Sequence, residues 1–305
     1  MWDTALSTMW SLGRFTHLKD FFPAAQQLGF ERFELNHGIN SHMLNGVDLG
    51  RLNIVSLHEP CPADISTKTL RARNWLVSSP DPENRQQGVH AVQRSIDLAQ
   101  ELGVSVLVMH PGRVDVDAKM ERDLWDLFEA GQAQTPAYAE LKERLVAARA
   151  AQAGANLEAV HQSLTELAEY AGRAGIRLGL ENRYHFLDIP LLDEMESLLE
   201  LTNDGRIGFW YDTGHGQTLD NLGFIPHTEW LRRYADRMLG VHLHDIRGLK
   251  DHFAAGLGEM DWDMVTAHLP DDIVRTCEFR AHNTPEQVVA AMELLATKGC
   301  VTRLD

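Results

Sequence analysis

The strongest chemical signal in this sequence is a set of imidazole and carboxylate side chains, each placed at the end of a short apolar run. One example is FWYDTGHGQT at residues 209–218, where Asp212 ends an aromatic stretch and His215 follows after two small residues. The residues that end such runs are Asn36, His58, His110, Glu181, Asp212, His242 and Glu278. Taken singly, such a histidine is often a hydrogen-bonded packing residue, and an aspartate often caps a helix. As a set they predict a divalent metal ion, because crowded carboxylates must share a cation or raise each other's pKa.

The apolar runs themselves have the features of buried β-strands. Their apolar residues are continuous rather than alternating, which is typical of a parallel sheet covered on both faces. Each run is followed by a stretch with helical periodicity, and this alternation implies parallel pairing. The eight runs are ALSTMW, RFEL, NIVSLH, SVLVMH, IRLGLE, IGFWYD, MLGVH and IVRTCE. Eight such units in 305 residues predict a (β/α)8 barrel, the TIM barrel of the α/β class.

One segment is longer than a barrel requires. Residues 112–156, after the fourth predicted strand, are charged, rich in alanine and helical in pattern. We interpret them as a helical insertion within a single domain of residues 1–305; it is a lid, an oligomer contact or a solvated decoration. An open doubly wound sheet is the competing architecture. It is disfavoured because no GxGxxG follows the first strand and because polar residues end strands throughout the chain.

The ends of barrel strands converge on one mouth, which is where barrel enzymes have their active sites. The last four predicted strands end with the candidate metal ligands Glu181, Asp212, His242 and Glu278. They can bind one ion from one side and leave the other side open for substrate. His58 and His110 end the third and fourth strands; they either complete a second metal site bridged by Glu181 or hydrogen-bond a substrate oxygen. We expect His215 to point over the same mouth.

Composition restricts the partners and the compartment. The chain has 28 Lys plus Arg against 44 Asp plus Glu, and the formal charge of -16 disfavours nucleic acid and anionic membranes. Its three cysteines, Cys61, Cys277 and Cys300, contain no CxxC pair, which is typical of a reducing compartment. No apolar stretch is long enough to span a membrane, and the N-terminus lacks a signal-peptide pattern. We therefore expect a cytoplasmic protein with neither a nucleic acid nor a membrane as partner.

Seven short motifs, in this order, carry a family resemblance. They are LHEP at 57–60, VMHPG at 108–112, LGLENR at 178–183, DTGH at 212–215, HLHD at 242–245, GLGEMDW at 256–262 and CEF at 277–279. Each motif alone is weak, but their order and their positions at strand ends are specific. Together they resemble the xylose-isomerase-like barrels, which include sugar-phosphate isomerases and epimerases, hydroxypyruvate isomerase, inosose dehydratase and the endonuclease IV branch. The resemblance covers most of the chain, residues 112–156 excepted.

The resemblance implies a function and assigns roles to the strand-end residues. By match to the family motifs, one divalent ion is bound by Glu181, Asp212, His242 and Glu278. The two glutamates then serve as acid and base in a sugar or sugar-phosphate isomerase or epimerase. Removing a proton next to a carbonyl leaves an enediolate, whose charge a cation stabilises while carboxylates move the proton.

Four further side chains are candidates for contact with the substrate: His215, Arg183, His244 and His252. Arg183 is equally well explained by a salt bridge to a loop carboxylate, and an outward-facing His244 is the simpler interpretation. Asn36 and His37 have no assigned role. The substrate is a small carbohydrate, either phosphorylated or a neutral sugar, polyol or keto-acid.

The metal and the oligomeric state stay open at this point. Mixed nitrogen and oxygen ligands accommodate Mn, Zn, Co or Fe, and Mg less readily. A homodimer is one option for the assembly.

Other reactions on the same scaffold compete with isomerisation. Metal-dependent phosphodiester hydrolysis of the endonuclease IV type is kept open by His58 and His110. It is disfavoured by the acidic charge and because Asp251 and His252 are adjacent, whereas that branch has Asp-x-His. A sugar or polyol dehydratase starts with the same proton abstraction. A Schiff-base aldolase lacks its strand-end lysine, and a sensor without turnover does not require two glutamates.

Overall fold

Eight parallel strands close into a barrel in the computed structural model, which describes residues 1–304. The strands are β1 (Ala5–Ser7), β2 (Arg32–Leu35), β3 (Asn53–His58), β4 (Val106–Met109), β5 (Arg177–Glu181), β6 (Ile207–Asp212), β7 (Met238–Leu243) and β10 (Val274–Cys277). Neighbours in the chain pair with each other, and β10 closes the ring between β7 and β1. All eight predicted strands are present, so the predicted barrel is confirmed.

The strand register brings the predicted ligands to the same end of the barrel. Asp212 at the end of β6 lies opposite His242 of β7. Thr276 of β10 lies opposite His242 and Cys277 lies opposite Leu243, so Glu278 follows two residues above the level of His242. Glu181 at the end of β5 lies opposite Trp210, two residues below Asp212. The four side chains therefore leave adjacent strands at the same mouth.

Helices alternate with the strands and cover the barrel. They are α1 (Leu18–Gln27), α2 (Ser41–Leu44), α3 (Thr67–Ala72), α4 (Pro82–Leu102), α5 (Ala118–Glu129), α6 (Pro136–Arg173), α7 (Leu192–Leu199), α8 (Thr213–Asn221), α9 (His227–Tyr234), α10 (Trp262–Thr266) and α11 (Pro285–Thr297). Gly103 has a φ of 70° directly after α4, the left-handed cap that glycine allows. Within residues 1–304, none of the helices has the length and hydrophobicity that a membrane crossing requires.

Two elements at the mouth do not follow from the sequence pattern. Helix α8 starts directly after Asp212, whose carboxylate accepts the backbone N–H of His215 at 2.8 Å. Gly214 is required there because a Cβ would lie 2.1 Å from Cε1 of His244. The other element is a two-stranded antiparallel hairpin after β7, formed by β8 (Asp245–Arg247) and β9 (Lys250–Phe253). Both elements carry residues to the same mouth.

Trp210 fills the interior of the barrel below the mouth. Its side chain is fully buried, and it belongs to a small apolar cluster with Val106, Val108 and Leu239. A Cβ on Gly240 would lie 2.3 Å from the Trp210 ring, so the neighbouring strand must carry glycine at this position. The Trp210 ring lies edge to face with His242, with ring centroids 5.1 Å apart. Trp210 therefore forms an apolar floor under the polar mouth.

The predicted insertion at 112–156 is helical, but no helix ends at its predicted C-terminal boundary, residue 156. Helix α5 and the first part of α6 lie within it, and α6 continues without a break to Arg173, where it leads into β5. The insertion is fixed to the barrel by polar contacts. The Tyr138 hydroxyl donates to the carbonyl of Leu222 at 3.0 Å, and Arg149 forms an ion pair with Glu194 at 2.6 Å.

Replacing Gly240 tests the packing of Trp210. We expect Gly240→Ala to lower the free energy of unfolding by about 1–3 kcal/mol, since the new methyl group overlaps a rigid buried ring. Gly154→Ala in α6 is the matched control; no atom lies within 4 Å of its Cβ position, so we expect it to gain about 0.5–1 kcal/mol. Urea denaturation of both variants measures the two effects, and equal midpoints would contradict the packing.

Candidate active site

A cavity of about 220 Å³ opens at the carboxyl ends of the strands. We call it the inner cavity. The predicted site residues that line it are His58, His110, Glu181, Arg183, His215, His252 and Glu278. Asp212 and His242 are fully buried and do not line the cavity. The strand-end prediction therefore brings most of its residues to one place.

The central donor set consists of the predicted ligands Glu181, Asp212, His242 and Glu278. Each offers one ligand atom, and the four atoms lie within 4.8 Å of one another. The imidazole Nδ1 of His242 lies 2.7 Å from Oε1 of Glu181, 3.4 Å from Oε2 of Glu278 and 3.7 Å from Oδ2 of Asp212. Three carboxylates thus surround one imidazole nitrogen, and all four side chains are buried.

This donor set fits a divalent cation. Burial raises the pKa of Glu181, but the surrounding imidazoles, with hydrogen bonds from His110 and His242, hold that pKa well below its ordinary value. Burial likewise raises the pKa of Glu278, and His242 and His252 bring it well below the ordinary value. Burial also raises the pKa of Asp212, and the surrounding imidazoles, with a hydrogen bond from His244, bring it below its ordinary value. All three carboxylates are therefore ionised at neutral pH, although an isolated buried carboxylate is costly. Three ionised oxygen donors and one imidazole are the ligand types that Mn, Zn, Co and Fe accept.

Glu34, which the sequence did not single out, fixes the orientation of His242. Its Oε2 lies 3.0 Å from Nε2 of His242 and accepts the Ser56 hydroxyl at 2.8 Å. Burial lowers the pKa of His242, but Glu278 and Glu34 raise it well above its ordinary value, so both ring nitrogens carry protons when no metal is bound. A metal ion would take the place of the proton on Nδ1, which faces the three carboxylates, while Nε2 stays bonded to Glu34. Such a carboxylate behind an imidazole is a common outer partner of metal-binding histidines. The sequence signal was available: Glu34 is a charged residue inside the buried strand β2.

A second donor set adjoins the first through Glu181. The Nε2 atoms of His110 and His58 lie 2.7 Å and 3.7 Å from Oε2 of Glu181, and the three residues form a possible metal-binding group. Burial and the neighbouring Arg183 hold the pKa of His110 well below its ordinary value, so its imidazole is neutral. The arrangement is compatible with both earlier alternatives for His58 and His110, a second ion bridged by Glu181 or a bond to substrate.

A third donor set corrects an expectation from the sequence. Asp251 and His252 are adjacent, yet their ligand atoms and that of His215 all lie within 4.8 Å of one another. Adjacent residues of a strand normally point to opposite faces. His252 has a φ of 60°, a left-handed backbone that turns both side chains toward His215. The argument that this pair is out of pattern for a third metal site is therefore wrong.

His252 also contacts the central set. Its Nε2 lies 3.2 Å from Oε2 of Glu278 and its Nδ1 lies 2.9 Å from Asp251. Burial lowers the pKa of His252, but Asp251 and Glu278 raise it to about 10. When no metal ion is bound, His252 is therefore a cation whose charge offsets the carboxylates of Asp251 and Glu278.

His215 and Arg183 both line the inner cavity. Nδ1 of His215 lies 2.9 Å from the carbonyl oxygen of Asn182, so it donates there and Nε2 is left for the cavity. Burial lowers the pKa of His215 to about 4, which keeps the ring neutral. Nη1 of Arg183 donates to Glu181 at 2.6 Å, and its Nε lies 3.4 Å from Asp188. Arg183 therefore has both the cavity position and the loop salt bridge that the sequence left as alternatives.

His244 does not have the expected position for substrate contact. It is fully buried, it is absent from the cavity wall, and it does not face outward either. Its Nε2 lies 2.9 Å from Oδ1 of Asp212, and its Nδ1 accepts the backbone N–H of His252 at 3.0 Å. Because both ring nitrogens are bonded within the protein, His244 supports Asp212 rather than a substrate.

The residues after β2 complete the wall. Nδ2 of Asn36 donates to Oε1 of Glu278 at 2.8 Å and so orients that carboxylate. His37 lines the cavity beside His58, with ring centroids 4.7 Å apart. Burial lowers the pKa of His37 to about 3, which makes its ring neutral. Among residues 1–304, no lysine lines the inner cavity, so its wall offers no Schiff-base nucleophile.

The comparison with known proteins places the chain in a family. Residues 22–298 match the model of the xylose isomerase-like TIM barrel family, which is most of the chain. The chain belongs to this family, and the resemblance carried by the sequence motifs is confirmed.

Individual relatives are more distant. An inosose dehydratase of Geobacillus kaustophilus is 35% identical over 89 residues, 28% of each chain. The uncharacterized protein MJ1311 of Methanocaldococcus jannaschii is 27% identical over 191 residues, 61% of this chain and 54% of that protein. The chain thus spans about half or less of the length of these relatives.

Solved structures share the fold along nearly the whole chain. A D-tagatose 3-epimerase-like protein superposes with a TM-score of 0.65 at 20% identity, covering 97% of this chain and 96% of that one. A zinc-bound IolI protein superposes with a TM-score of 0.65 at 14% identity and 99% coverage of both chains. At these identities the likeness establishes the fold alone.

Removing Glu34 tests its role behind His242. We expect Glu34→Ala to weaken the binding of Zn²⁺ or Mn²⁺ by about 10–100-fold, because His242 loses the partner that fixes its ring. Glu34→Gln is the matched variant; its amide oxygen still accepts from Nε2 and should retain most of the affinity. Titration against a metal-binding dye measures both variants, and an unchanged affinity of Glu34→Ala would contradict the assigned role.

Proposed function

We propose that this protein is a divalent-metal-dependent isomerase or epimerase of sugars or sugar phosphates, acting by proton transfer next to a carbonyl. One observation carries the proposal: two ionised glutamates, Glu181 and Glu278, face the inner cavity from opposite ends of one metal-binding donor set. Two structural relatives, a D-tagatose 3-epimerase-like protein and a zinc-bound IolI protein, support it.

The metal would be bound by Glu181, Asp212, His242 and Glu278, and Mn, Zn, Co or Fe suit this set better than Mg. A divalent ion in this position would stabilise the negative charge that develops on substrate oxygens when the C–H proton leaves. Removal of metal by a chelator is therefore expected to abolish turnover.

The side chains supply the proton transfer and its geometry. One glutamate takes the C–H proton onto a carboxylate oxygen, and either the same or the opposite glutamate returns a proton to carbon. Return of the proton to the neighbouring, former carbonyl carbon, together with transfer of the hydroxyl proton to the former carbonyl oxygen, moves the carbonyl. Return to the original carbon from the opposite face inverts that carbon. Asn36 orients Glu278 at 2.8 Å, and Arg183 orients Glu181 at 2.6 Å. The neutral Nε2 of His215 is available for a substrate hydroxyl.

A dehydratase shares the first of these steps. After the proton has left, a dehydratase expels a neighbouring hydroxyl as water, which requires an acid to protonate the leaving oxygen. The partial identity to inosose dehydratase supports this variant of the same site. The product, recovered with or without loss of water, distinguishes dehydration from isomerisation.

Solvent exchange tests the proposal directly. We incubate the metal-loaded protein in D₂O with a panel of ketoses, ketose phosphates, inososes and keto-disaccharides with and without a phosphate. We expect the substrate to incorporate deuterium next to its carbonyl. Glu278→Gln should lower the exchange rate by about 10²–10⁴-fold, the usual contribution of a general acid or base. Glu158→Gln on the exposed face of α6 is the matched control and should exchange normally.

Metal content must be measured for each variant, because Glu278 is also a proposed ligand. If Glu278→Gln retains its metal and still exchanges at the original rate, the acid-base role is wrong. If no member of the panel exchanges with the metal-loaded protein, the isomerase proposal fails.

Phosphodiester hydrolysis is a second candidate, and the three adjoining donor sets favour it. They share or contact Glu181 and Glu278, so several ions could lie side by side, as in multi-metal phosphoesterases. The charge of -16 opposes binding of a polyanion. A small phosphodiester would therefore suit the cavity better than duplex DNA.

Metal stoichiometry and cleavage assays separate the two candidates. For an isomerase we expect about one tightly bound ion per chain and no nicking of abasic duplex DNA or hydrolysis of bis-(p-nitrophenyl) phosphate. Robust nicking that is lost in His252→Asn, with three ions in the original protein, would reverse the ranking.

A further inference from the structure

A second cavity of about 470 Å³ lies directly outside the inner cavity. We call it the outer cavity. Tyr184, Asp251 and Arg280 line both cavities, so the two spaces meet at these three residues. The remaining wall of the outer cavity includes Trp125, Lys250, Phe253 and His282. The proposed proton transfer uses none of these residues.

Trp125 comes from the insertion, which therefore takes part in building the mouth. Helix α5 is held on the β5–α7 loop by the buried Glu121, whose Oε1 accepts the backbone N–H of Phe186 at 2.5 Å. Oε2 of Glu121 lies 3.1 Å from Nδ1 of His185. The start of the insertion also pairs with this loop, since Val114 N–H donates to Leu187 O at 2.8 Å. These contacts fix Trp125 over the loop that carries Arg183 and Tyr184.

A continuous row of rings leads from the outer to the inner cavity. Trp125 is stacked on His185 with centroids 5.1 Å apart, His185 lies 4.2 Å from Tyr184, and Tyr184 lies 4.8 Å from His215. Such a wall offers flat apolar faces on which a ring can pack. His215 is the proposed hydroxyl contact of the reacting unit, so a ligand extending along the row would connect both cavities.

The outer cavity is also locally basic in an acidic protein. Lys250 and Arg280 stand on its rim, and His282 packs against Phe253 with ring centroids 4.8 Å apart. Asp251 is the acidic residue of this wall, and it is already neutralised by His252 at 2.9 Å and Arg280 at 3.1 Å. In a chain of net charge -16, Lys250 and the N–H donors that Arg280 does not direct at Asp251 favour an anionic ring-bearing group beside the aromatic face.

We propose that the outer cavity binds a second, anionic unit of the substrate, with its ring on Trp125 and its charge beside Lys250 and Arg280. The preferred substrate is then a two-unit carbohydrate that carries a phosphate or another anion on the distal unit, and not a free monosaccharide. This inference rests on the proposed function, because it assigns the reacting unit to the inner cavity. It gives the insertion a role in specificity.

Calorimetry with three probes tests the outer subsite on the metal-loaded full chain. The probes are glucose 6-phosphate, trehalose and trehalose 6-phosphate. We expect trehalose 6-phosphate to bind about tenfold or more tightly than the other two, since only it has both the second ring and the anion. Trp125→Ala should weaken trehalose 6-phosphate to the level of glucose 6-phosphate and leave glucose 6-phosphate unchanged.

Two further variants show whether a loss of binding comes from the outer cavity or from a general effect on folding. Lys250→Glu alters an exposed residue and should weaken trehalose 6-phosphate without affecting neutral trehalose. Tyr170→Ala on α6 removes an aromatic ring whose hydroxyl donates to Asp97, remote from both cavities, and should change nothing. The proposal is overturned if the three probes bind alike, if none binds, or if Trp125→Ala and Lys250→Glu leave trehalose 6-phosphate unaffected.

The solvent-exchange assay separates this inference from the proposed function. Exchange of monosaccharides together with unaltered probe binding in Trp125→Ala would reject the outer subsite alone. Loss of probe binding in Trp125→Ala without any exchange would retain the subsite and reject the isomerase.

Discussion

The burial of Glu181 is the constraint on which the rest of the mouth depends. A carboxylate removed from water costs several kcal/mol unless opposite charge and hydrogen bonds surround it. Here Oε1 lies 2.7 Å from His242, while Oε2 lies 2.7 Å from His110 and 2.6 Å from Arg183. Each of these partners is itself held, His242 by Glu34 and Arg183 by Asp188. The network therefore fixes the carboxylate before any ligand arrives.

The same network explains why so many histidines are needed. With no lysine among the described residues of the cavity wall, positive charge must come from the arginines Arg71, Arg183 and Arg280, from imidazoles or from a bound cation. Burial lowers the pKa of His37 to about 3 and that of His215 to about 4, so these two rings do not supply it. Asp251 and Glu278 raise the pKa of His252 to about 10. The histidines of this cavity therefore differ in charge. His37 and His215 are neutral, whereas His252, which pairs with Asp251 and Glu278, carries a positive charge.

The sequence predicted what barrel geometry determines and missed what local backbone geometry determines. A polar residue at the end of a parallel strand must reach the mouth, which is why Glu181, Asp212, His242 and Glu278 could be expected to lie close together, as they do. The positive φ of His252 leaves no pattern in the sequence, so the convergence of Asp251 and His252 on His215 could not be foreseen. His244 was misplaced because it follows the end of β7, beyond the range in which strand alternation predicts direction.

Helix α8 and the insertion show the same limit at a larger scale. TGHGQT has two glycines and the composition of a turn, yet Asp212 caps a helix there and Gly214 makes room for His244. The insertion was correctly expected to be helical. Its position over the β5–α7 loop depends on Glu121 and on backbone pairing at Val114, and neither has a recognisable spacing. The helical periodicity of the sequence predicts that a helix forms. Individual polar contacts, such as those of Glu121, determine which part of the barrel that helix packs against.

The three adjoining donor sets connect metal stoichiometry to the type of reaction. Glu181 belongs to two of them, through Oε1 toward His242 and Oε2 toward His110. If both oxygens bind ions, no basic lone pair remains in the right place to take a C–H proton, and the site suits activation of water for hydrolysis. If the second set stays metal-free, Oε2 keeps its hydrogen bonds to Arg183 and His110. A substrate oxygen that takes over the bond to His110 would then leave a lone pair of Oε2 for proton transfer. The choice between isomerase and hydrolase therefore depends on how many ions this one carboxylate shares.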